Sequence, residues 1–183
     1  LLADVVRNPA FDPREVERLR QQQLAGIAAE MTNPGALAAR ALPSLLFGPQ
    51  HPYGKPFTGT GNPDSVRAVT RDDLVAFHQR WIRPDNATIF AVGDIPLDRL
   101  VPLLEARFGN WQAPPVPRGT KNFAVPVPPA RPRIVLIDRP QSPQSVIVGG
   151  QVTPVDPRSD VTALTSANDV IGSNVLARIT ADI

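Results

Sequence analysis

The chain has 183 residues, and 19 Lys and Arg against 17 Asp and Glu give it a formal net charge of +2. A balance so near neutral argues against nucleic acid or an anionic membrane as the main partner, and no apolar run is long enough to span a bilayer. Cysteine is absent and histidine occurs only twice, which excludes disulfides, thiolate metal sites and cysteine nucleophiles and nearly excludes a multi-histidine metal site.

Helix start and stop signals are frequent and define the predicted elements in chain order. A capping Asp12, followed by Pro13 at the first helical position and Glu15 three residues after the cap, is a strong helix start. Asn33-Pro34 repeats this arrangement before a second amphipathic helix, in which Pro43 predicts a bend. The predicted helices cover residues 1–7, 12–31, 33–46, 63–69, 70–82, 96–108 and 160–171, with a loop rich in Gly and Pro over 48–61.

Three short apolar runs rich in β-branched residues predict strands. The first, residues 87–92, ends at a Gly-Asp pair and is interpreted as a buried strand. The helix that follows it contains Pro102, which predicts a kink or a shifted start. Two further strands are predicted over residues 133–138 and 145–150.

A proline-rich segment separates the first predicted strand and its helix from the other two strands. Proline makes up 22 of the 183 residues, against a usual frequency of about 5%. Seven of them lie between Pro114 and Pro132 with no hydrophobic period, which predicts a stiff, extended linker. We call residues 113–132 the proline belt. Residues 175–183 start a further element that is not completed.

Several short motifs occur in a fixed order along the chain. They are Asn8-Pro9-Ala10-Phe11, Asn33-Pro34, His51-Pro52-Tyr53-Gly54, Gly59-Thr60, Thr70-Arg71-Asp72-Asp73-Leu74, Arg83-Pro84-Asp85-Asn86-Ala87, Val92-Gly93-Asp94, Phe108-Gly109-Asn110-Trp111, Asp138-Arg139-Pro140, Gln144-Ser145, Ile171-Gly172-Ser173 and Ala177-Arg178-Ile179. Taken together, they resemble the pitrilysin/insulinase family of zinc metallopeptidases, which includes the mitochondrial processing peptidase and its non-catalytic relatives. The last two motifs are similar to the Gly-Gly and Ser-Arg-Leu stretch of that family.

The resemblance implies an α+β fold of the LuxS/processing-peptidase type, with helices packed on one sheet. Two homologous domains make a half in this family, and two halves close around a chamber. The resemblance maps residues 1–112 to the C-terminal part of a first domain, residues 113–132 to the linker and residues 133–183 to the N-terminal part of a second domain. Because the chain begins with Leu1 inside a predicted helix, we expect it to be a piece of a longer protein.

The resemblance also implies where catalytic members would bind zinc. These members carry H-x-x-E-H on a helix, and its Glu activates a zinc-bound water whose pKa falls to about 7. That motif maps before Leu1, and His51 and His78 lie 27 residues apart, too far to form it. The third ligand, a Glu, maps to Gly26, and its partner acid maps to Leu19. Since neither residue can bind a metal, no catalytic, metal-binding or cofactor-binding residue is predicted in this chain.

The remaining candidate residues have simple structural interpretations. Glu30 lies one helical turn too late for the ligand position and is interpreted as an ordinary helix acid. Gly26 weakens its helix by about 1 kcal/mol relative to Ala, and we expect close packing there. His51 is expected to fix a turn and His78 to pack on an apolar helix face. Asp72-Asp73 is expected to cap a helix and stabilise its dipole.

The function that the resemblance implies is proteolysis of peptides by a zinc peptidase, with this chain as the non-catalytic, chamber-forming half and inactive alone. Zinc would then belong to the catalytic half or to a partner subunit. Two alternatives stay open: a catalytic half without its H-x-x-E-H motif, using Glu30 through a register shift, and a purely structural or protein-binding subunit. The absence of cysteine is compatible with a periplasmic location without requiring it.

Two further expectations concern the surface of the chain. Unpaired strand edges predict self-association of the isolated chain. The substrate-binding Arg and Tyr of the family map beyond Ile183.

Overall fold

The regular elements of the computed structural model are all helical in the part of the chain that it describes, residues 1–156 and 161–172. The helices are α1 (Leu2–Arg7), α2 (Pro13–Thr32), α3 (Pro34–Phe47), α4 (Pro63–Ala68), α5 (Arg71–Trp81), α6 (Leu97–Phe108) and α7 (Thr162–Gly172), with a short 3-10 helix over Pro84–Asn86. The chain divides into one unit over Leu1–Gly150 and a second over Gln151–Ile183. None of the described helices is long and apolar enough to cross a membrane.

The predicted caps are confirmed and explain where α2, α3 and α5 begin. The carboxylate of Asp12 accepts the backbone N–H of Arg14 at 2.8 Å, which satisfies one of the free amides at the start of α2. Asn33 does the same for α3, accepting the N–H of Ala36 at 2.9 Å. At α5 the side chains and backbone of Thr70 and Asp73 form a reciprocal capping box.

Helix α2 packs against α3 and α4, and this contact holds the small core of the first unit. Ile27 of α2 is buried there, and Pro43 of α3 is fully buried. The α3 helix continues through Pro43, and α6 runs from Leu97 through Pro102, so the shifted start considered for α6 is not observed. The guanidinium of Arg20 in α2 donates to the carbonyl of Val66 at 2.5 Å and links α4 to α2.

The predicted loop after α3 folds tightly on itself. Its turn is closed by the N–H of Gly54, which donates to the carbonyl of His51 at 2.9 Å. A β-carbon on Gly54 would lie 1.8 Å from the carbonyl oxygen of Gly48, so only glycine fits at this position. The Gly in the His51-Pro52-Tyr53-Gly54 motif is therefore required by the close approach of two backbone segments.

The α+β expectation is wrong for the described residues, because none of the three predicted strands forms. Residues 87–92, 133–138 and 145–150 contain no strand. Their side chains are instead exposed, as at Phe90 (89%) and Ile147 (96%). A strand is defined by hydrogen bonds to a neighbouring strand, and within residues 1–156 and 161–172 no second strand lies beside these runs. An apolar, β-branched run shows that a segment is suited to a sheet, but it does not provide the second strand with which the segment must pair.

The second unit contributes one described helix, α7, over Thr162–Gly172. This agrees with the predicted helix of residues 160–171, although its proposed start at Asp160 lies outside the described residues. The Ala177-Arg178-Ile179 motif and the element over 175–183 also lie outside them.

Candidate functional site

The middle of α2 contains the two positions to which the resemblance maps the third metal ligand and its partner acid. Leu19 is exposed there, and a β-carbon built on Gly26 meets no atom within 4 Å. The close packing expected at Gly26 is therefore wrong, because the glycine faces open space. Neither residue has a side chain that can bind a metal ion.

Glu30, one turn further along α2, is held in a hydrogen-bonded cluster that joins three segments. Its Oε2 accepts from Arg40 Nη1 of α3 at 2.6 Å and from the hydroxyl of Thr60 at 2.9 Å. Arg40 donates further to the Thr60 hydroxyl at 2.7 Å and to the carbonyl of Gly61 at 2.5 Å. The Arg40 and Glu30 side chains are only 9% and 18% exposed. We call these four residues the Glu30 cluster.

The electrostatics of the Glu30 cluster keep the Glu30 carboxylate charged, and its neighbours already hydrogen-bond to it. Burial raises the pKa of Glu30, but hydrogen bonds from Arg40, Thr60 and Thr58, together with the Arg40 charge, outweigh it and lower the pKa below its ordinary value. A charged carboxylate could in principle bind a metal. Here its Oε2 already accepts two hydrogen bonds and pairs with a cation, so the cluster acts as a structural link between α2, α3 and the following loop.

His51 is buried, at 5% exposure, and fixes the loop after α3. Its Nδ1 accepts the backbone N–H of Tyr53 at 3.1 Å, which leaves the neutral ring protonated at Nε2. The ring stacks on Phe47 with centroids 5.4 Å apart, and Phe123 of the proline belt contacts it edge-on at 6.5 Å. The structure therefore places His51 as the support of a turn and of an aromatic cluster.

His78 lies on α5 and makes a structural contact of a different kind. Its Nε2 lies 2.7 Å from the carbonyl oxygen of Val6, so this nitrogen carries the proton and donates. Phe11 meets the ring edge-on at 5.9 Å. Beside these residues is an open, apolar cavity of about 360 Å³. It is lined by Val5, Val6, Pro9, Phe11, Leu74, Phe77, His78 and Ile82.

The acidic pair at the start of α5 is also engaged locally. The carboxylate of Asp73 accepts the Thr70 hydroxyl at 2.6 Å and the Thr70 N–H at 2.8 Å, and these bonds lower its pKa. Asp72 is exposed in the first turn, beside Arg71 at 3.6 Å. Within residues 1–156 and 161–172, no three or more His, Asp or Glu side chains are grouped so that they could hold a metal ion.

Arg83 is the important residue that the sequence reasoning missed. It is buried, at 6% exposure, just after α5, and it donates to the carbonyl of Val116 at 2.7 Å and to that of Pro114 at 3.4 Å. Its Nε also pairs with Asp85 at 2.5 Å, and this ion pair lowers the pKa of the Asp85 carboxyl. An arginine before Pro84 carries no sequence signal that it will reach thirty residues ahead in the chain.

The contacts around Arg83 continue along the belt. The N–H of Gly119 donates to the carbonyl of Arg80 at 3.0 Å. A β-carbon on Gly119 would lie 2.3 Å from the Trp81 indole, so the backbone passes directly against the ring. Lys121 lies over the same ring, 6.0 Å from its centroid. We call these contacts over residues 114–121 the Arg83 clamp.

Comparisons with known proteins show which family the sequence of this chain resembles. The sequence model of a family described as the peptidase M16 inactive domain matches residues 68–181, more than half of the chain. A Mycobacterium bovis protein named an uncharacterized zinc protease is 32% identical over 154 residues, covering 81% of this chain and 33% of that protein. The chain therefore spans about a third of the length of this relative.

Two eukaryotic processing peptidases are also similar. The chloroplastic stromal processing peptidase of Arabidopsis thaliana is 29% identical over 142 residues, covering 69% of this chain and 11% of that protein. A probable mitochondrial-processing peptidase subunit beta of Schizosaccharomyces pombe is 29% identical over 117 residues, covering 61% of this chain and 24% of that protein. The similarity extends across bacterial and organellar proteins that are named as peptidases.

Proposed function

This chain belongs to the peptidase M16 family, and from that membership we propose that it forms part of the non-catalytic, chamber-forming half of a zinc peptidase. The observation that carries the proposal is the state of Glu30. It is the acid nearest to the ligand position, and its Oε2 is engaged by Arg40 and Thr60. A half built in this way contributes a wall and an interface, while the metal lies in the other half.

The proposal assigns roles to the three parts of the chain. Residues 1–112 form the C-terminal part of a first peptidase-like domain, and residues 133–183 form the N-terminal part of a second. The proline belt, residues 113–132, connects them. The Arg83 clamp supports this role, because it holds the start of the belt against the end of α5 and so fixes the direction in which the linker leaves the first domain.

The proposed substrates are peptides or proteins, and the proposed partner is a catalytic half or subunit of the same family. Zinc would be bound there by an H-x-x-E-H motif. The name of the Schizosaccharomyces pombe relative, a subunit of a processing peptidase, supports a multi-subunit arrangement. The name of the Mycobacterium bovis relative, an uncharacterized zinc protease, supports the reaction class.

Metal analysis of the dialysed chain tests the central claim. We expect no stoichiometric zinc to be retained, because Leu19 and Gly26 lack ligand atoms and Glu30 is paired. The wild-type chain is compared with Glu30→Gln, which keeps the shape of the side chain and removes its charge. Tightly bound zinc that is lost in this variant would favour the alternative of a catalytic half with Glu30 as ligand.

A reconstitution experiment tests the role in proteolysis. The chain is mixed with a purified M16 domain that carries H-x-x-E-H, and cleavage of a fluorogenic peptide is followed. We expect the chain alone to be inactive and the mixture to exceed the catalytic domain alone. Cleavage by the chain alone would refute the non-catalytic assignment. A mixture that binds without any gain in activity would favour the purely structural subunit.

Self-association of the isolated chain is a further part of the proposal. Large apolar side chains at Phe90, Ile134 and Ile147 are almost fully exposed and have no neighbour to cover them in the described structure. We expect light scattering to detect association that increases with protein concentration. A clean monomer at high concentration would contradict this expectation.

A further inference from the structure

The second half of the proline belt carries a proline repeat with a period of three. Pro126, Pro129 and Pro132 are each three residues apart. Each proline fixes its own φ near −65° and disfavours the helical conformation in the residue before it. This sequence therefore favours a polyproline II helix. With three residues per turn and a rise of 3.1 Å per residue, the three rings fall on one edge, about 9 Å apart.

The three prolines of this repeat are exposed in the structure, and other residues hold the segment in place. Pro126, Pro129 and Pro132 are all exposed, and residues 126–139 contain neither helix nor strand. The ring of Pro128, which is itself exposed, lies close to Gly48, where a β-carbon would be 3.5 Å from its Cγ. Arg133 donates to the carbonyl of Leu45. The segment is thus anchored by residues off the edge while its repeated rings face solvent.

The charge of the belt adds a second, independent feature. Between Glu105 and Asp138 the sequence contains no acidic residue. The belt itself, residues 113–132, contains three basic residues, all exposed: Arg118, Lys121 and Arg131. Arg131 follows Pro129 by two positions and forms no ion pair with any carboxylate in the part of the chain that the structure describes.

From these features we propose that residues 125–133 are a docking segment for a folded partner domain with an aromatic-lined groove flanked by carboxylates. Grooves of this type recognise P-x-x-P segments in the polyproline II conformation. Pro126 and Pro129 fill the spaces between the aromatic side chains, and Arg131 pairs with the acidic residues beside them. Because proline presets the bound conformation, little conformational entropy is lost on docking.

Isothermal titration calorimetry of the complete 183-residue chain with a purified SH3 domain that has acidic residues beside its groove tests the proposal. We expect saturable binding to one site. Pro129→Ala and Arg131→Glu should each weaken binding by about tenfold or more, as residues at the centre of an interface do. Pro117→Ala and Lys121→Glu make the same changes in the first half of the belt and should leave the affinity unchanged.

Three results would overturn the proposal. The first is the absence of saturable binding at about 1 mM SH3 domain, the weak end of specific affinities. The second is binding that is weakened equally by Arg131→Glu and Lys121→Glu but is unchanged by Pro129→Ala. That pattern would indicate charge attraction without recognition of the prolines by a groove. The third is binding that none of the four variants changes, which places the contact elsewhere on the chain.

Discussion

Replacing Arg83 by Met tests whether the Arg83 clamp holds the proline belt to the first unit. The substitution keeps an unbranched apolar stem in the buried position and removes the guanidinium. The Val116 carbonyl then loses a charged hydrogen bond of 2.7 Å, and the Pro114 carbonyl loses a longer one of 3.4 Å. We assign the stabilisation to the first bond and discount the Asp85 ion pair, because its carboxylate is 48% exposed.

The magnitude follows from that single well-formed bond. A hydrogen bond from a charged donor contributes about 1.5–3 kcal/mol, so we take about 2 kcal/mol for holding the belt. This corresponds to an increase of about 30-fold in the population of chains in which the belt is released. The Arg83→Lys variant keeps the charge but replaces the planar guanidinium, with its five donors, by a compact ammonium, so its effect should be intermediate.

Limited digestion with trypsin measures this population directly. The Arg118–Gly119 bond is held in the clamp and becomes accessible when residues 114–121 detach, so its cleavage rate follows the released fraction. Arg83 precedes Pro84, a bond that trypsin cuts poorly, so the substitution itself removes no significant site. The Arg133–Ile134 bond, outside the clamp, serves as the internal control.

The expected result is faster cleavage after Arg118, by about 30-fold in Arg83→Met, with the rate after Arg133 nearly unchanged. Equal acceleration at both bonds would mean that the substitution destabilises the whole unit. No acceleration at either bond would refute the clamp, since it would show that other contacts hold the belt without Arg83.

Three further predictions concern the stability of the first unit. Hydrogen bonds from Arg40 and the threonines lower the pKa of Glu30 below its ordinary value of 4.5, so its contribution to stability is present above that value and is lost as the pH falls through the folded pKa. The melting temperature of Glu30→Gln should therefore lie below that of the wild type at pH 7, and the difference should shrink as the pH is lowered below 4.5. A difference that stays the same size in acid would contradict this. Gly119→Ala should lower the free energy of unfolding in urea by about 1–3 kcal/mol, because the added β-carbon would lie 2.3 Å from Trp81. The control Gly93→Ala should be nearly neutral, because a β-carbon there meets no atom within 4 Å. Equal effects of the two variants would argue against the close approach at Gly119. Asn33→Ala should lower the free energy of unfolding by about 1 kcal/mol, because the 2.9 Å hydrogen bond that caps α3 is lost. Asn33→Asp can form the same cap and should keep most of the wild-type stability. An Ala variant as stable as the wild type would mean that the cap is dispensable.

Helix positions were predictable because their signals are local. Asp12-Pro13, Asn33-Pro34 and Thr70 each satisfy free amides within the next three residues, so a short stretch of sequence contains both partners. The strands were not predictable in the same way. The run over 133–138 has suitable residues, but a strand exists only when another segment donates and accepts its hydrogen bonds.

The features of the candidate site likewise fall into those that the sequence predicts and those that depend on the tertiary structure. The sequence by itself determined the family resemblance and the lack of ligand atoms at Leu19 and Gly26, because these depend only on which residues occupy a position. Only the tertiary structure decided that Glu30 is held by Arg40 and Thr60, and that Arg83 reaches Val116. Such contacts join residues far apart in the chain, and their distances are set by how whole helices and loops pack.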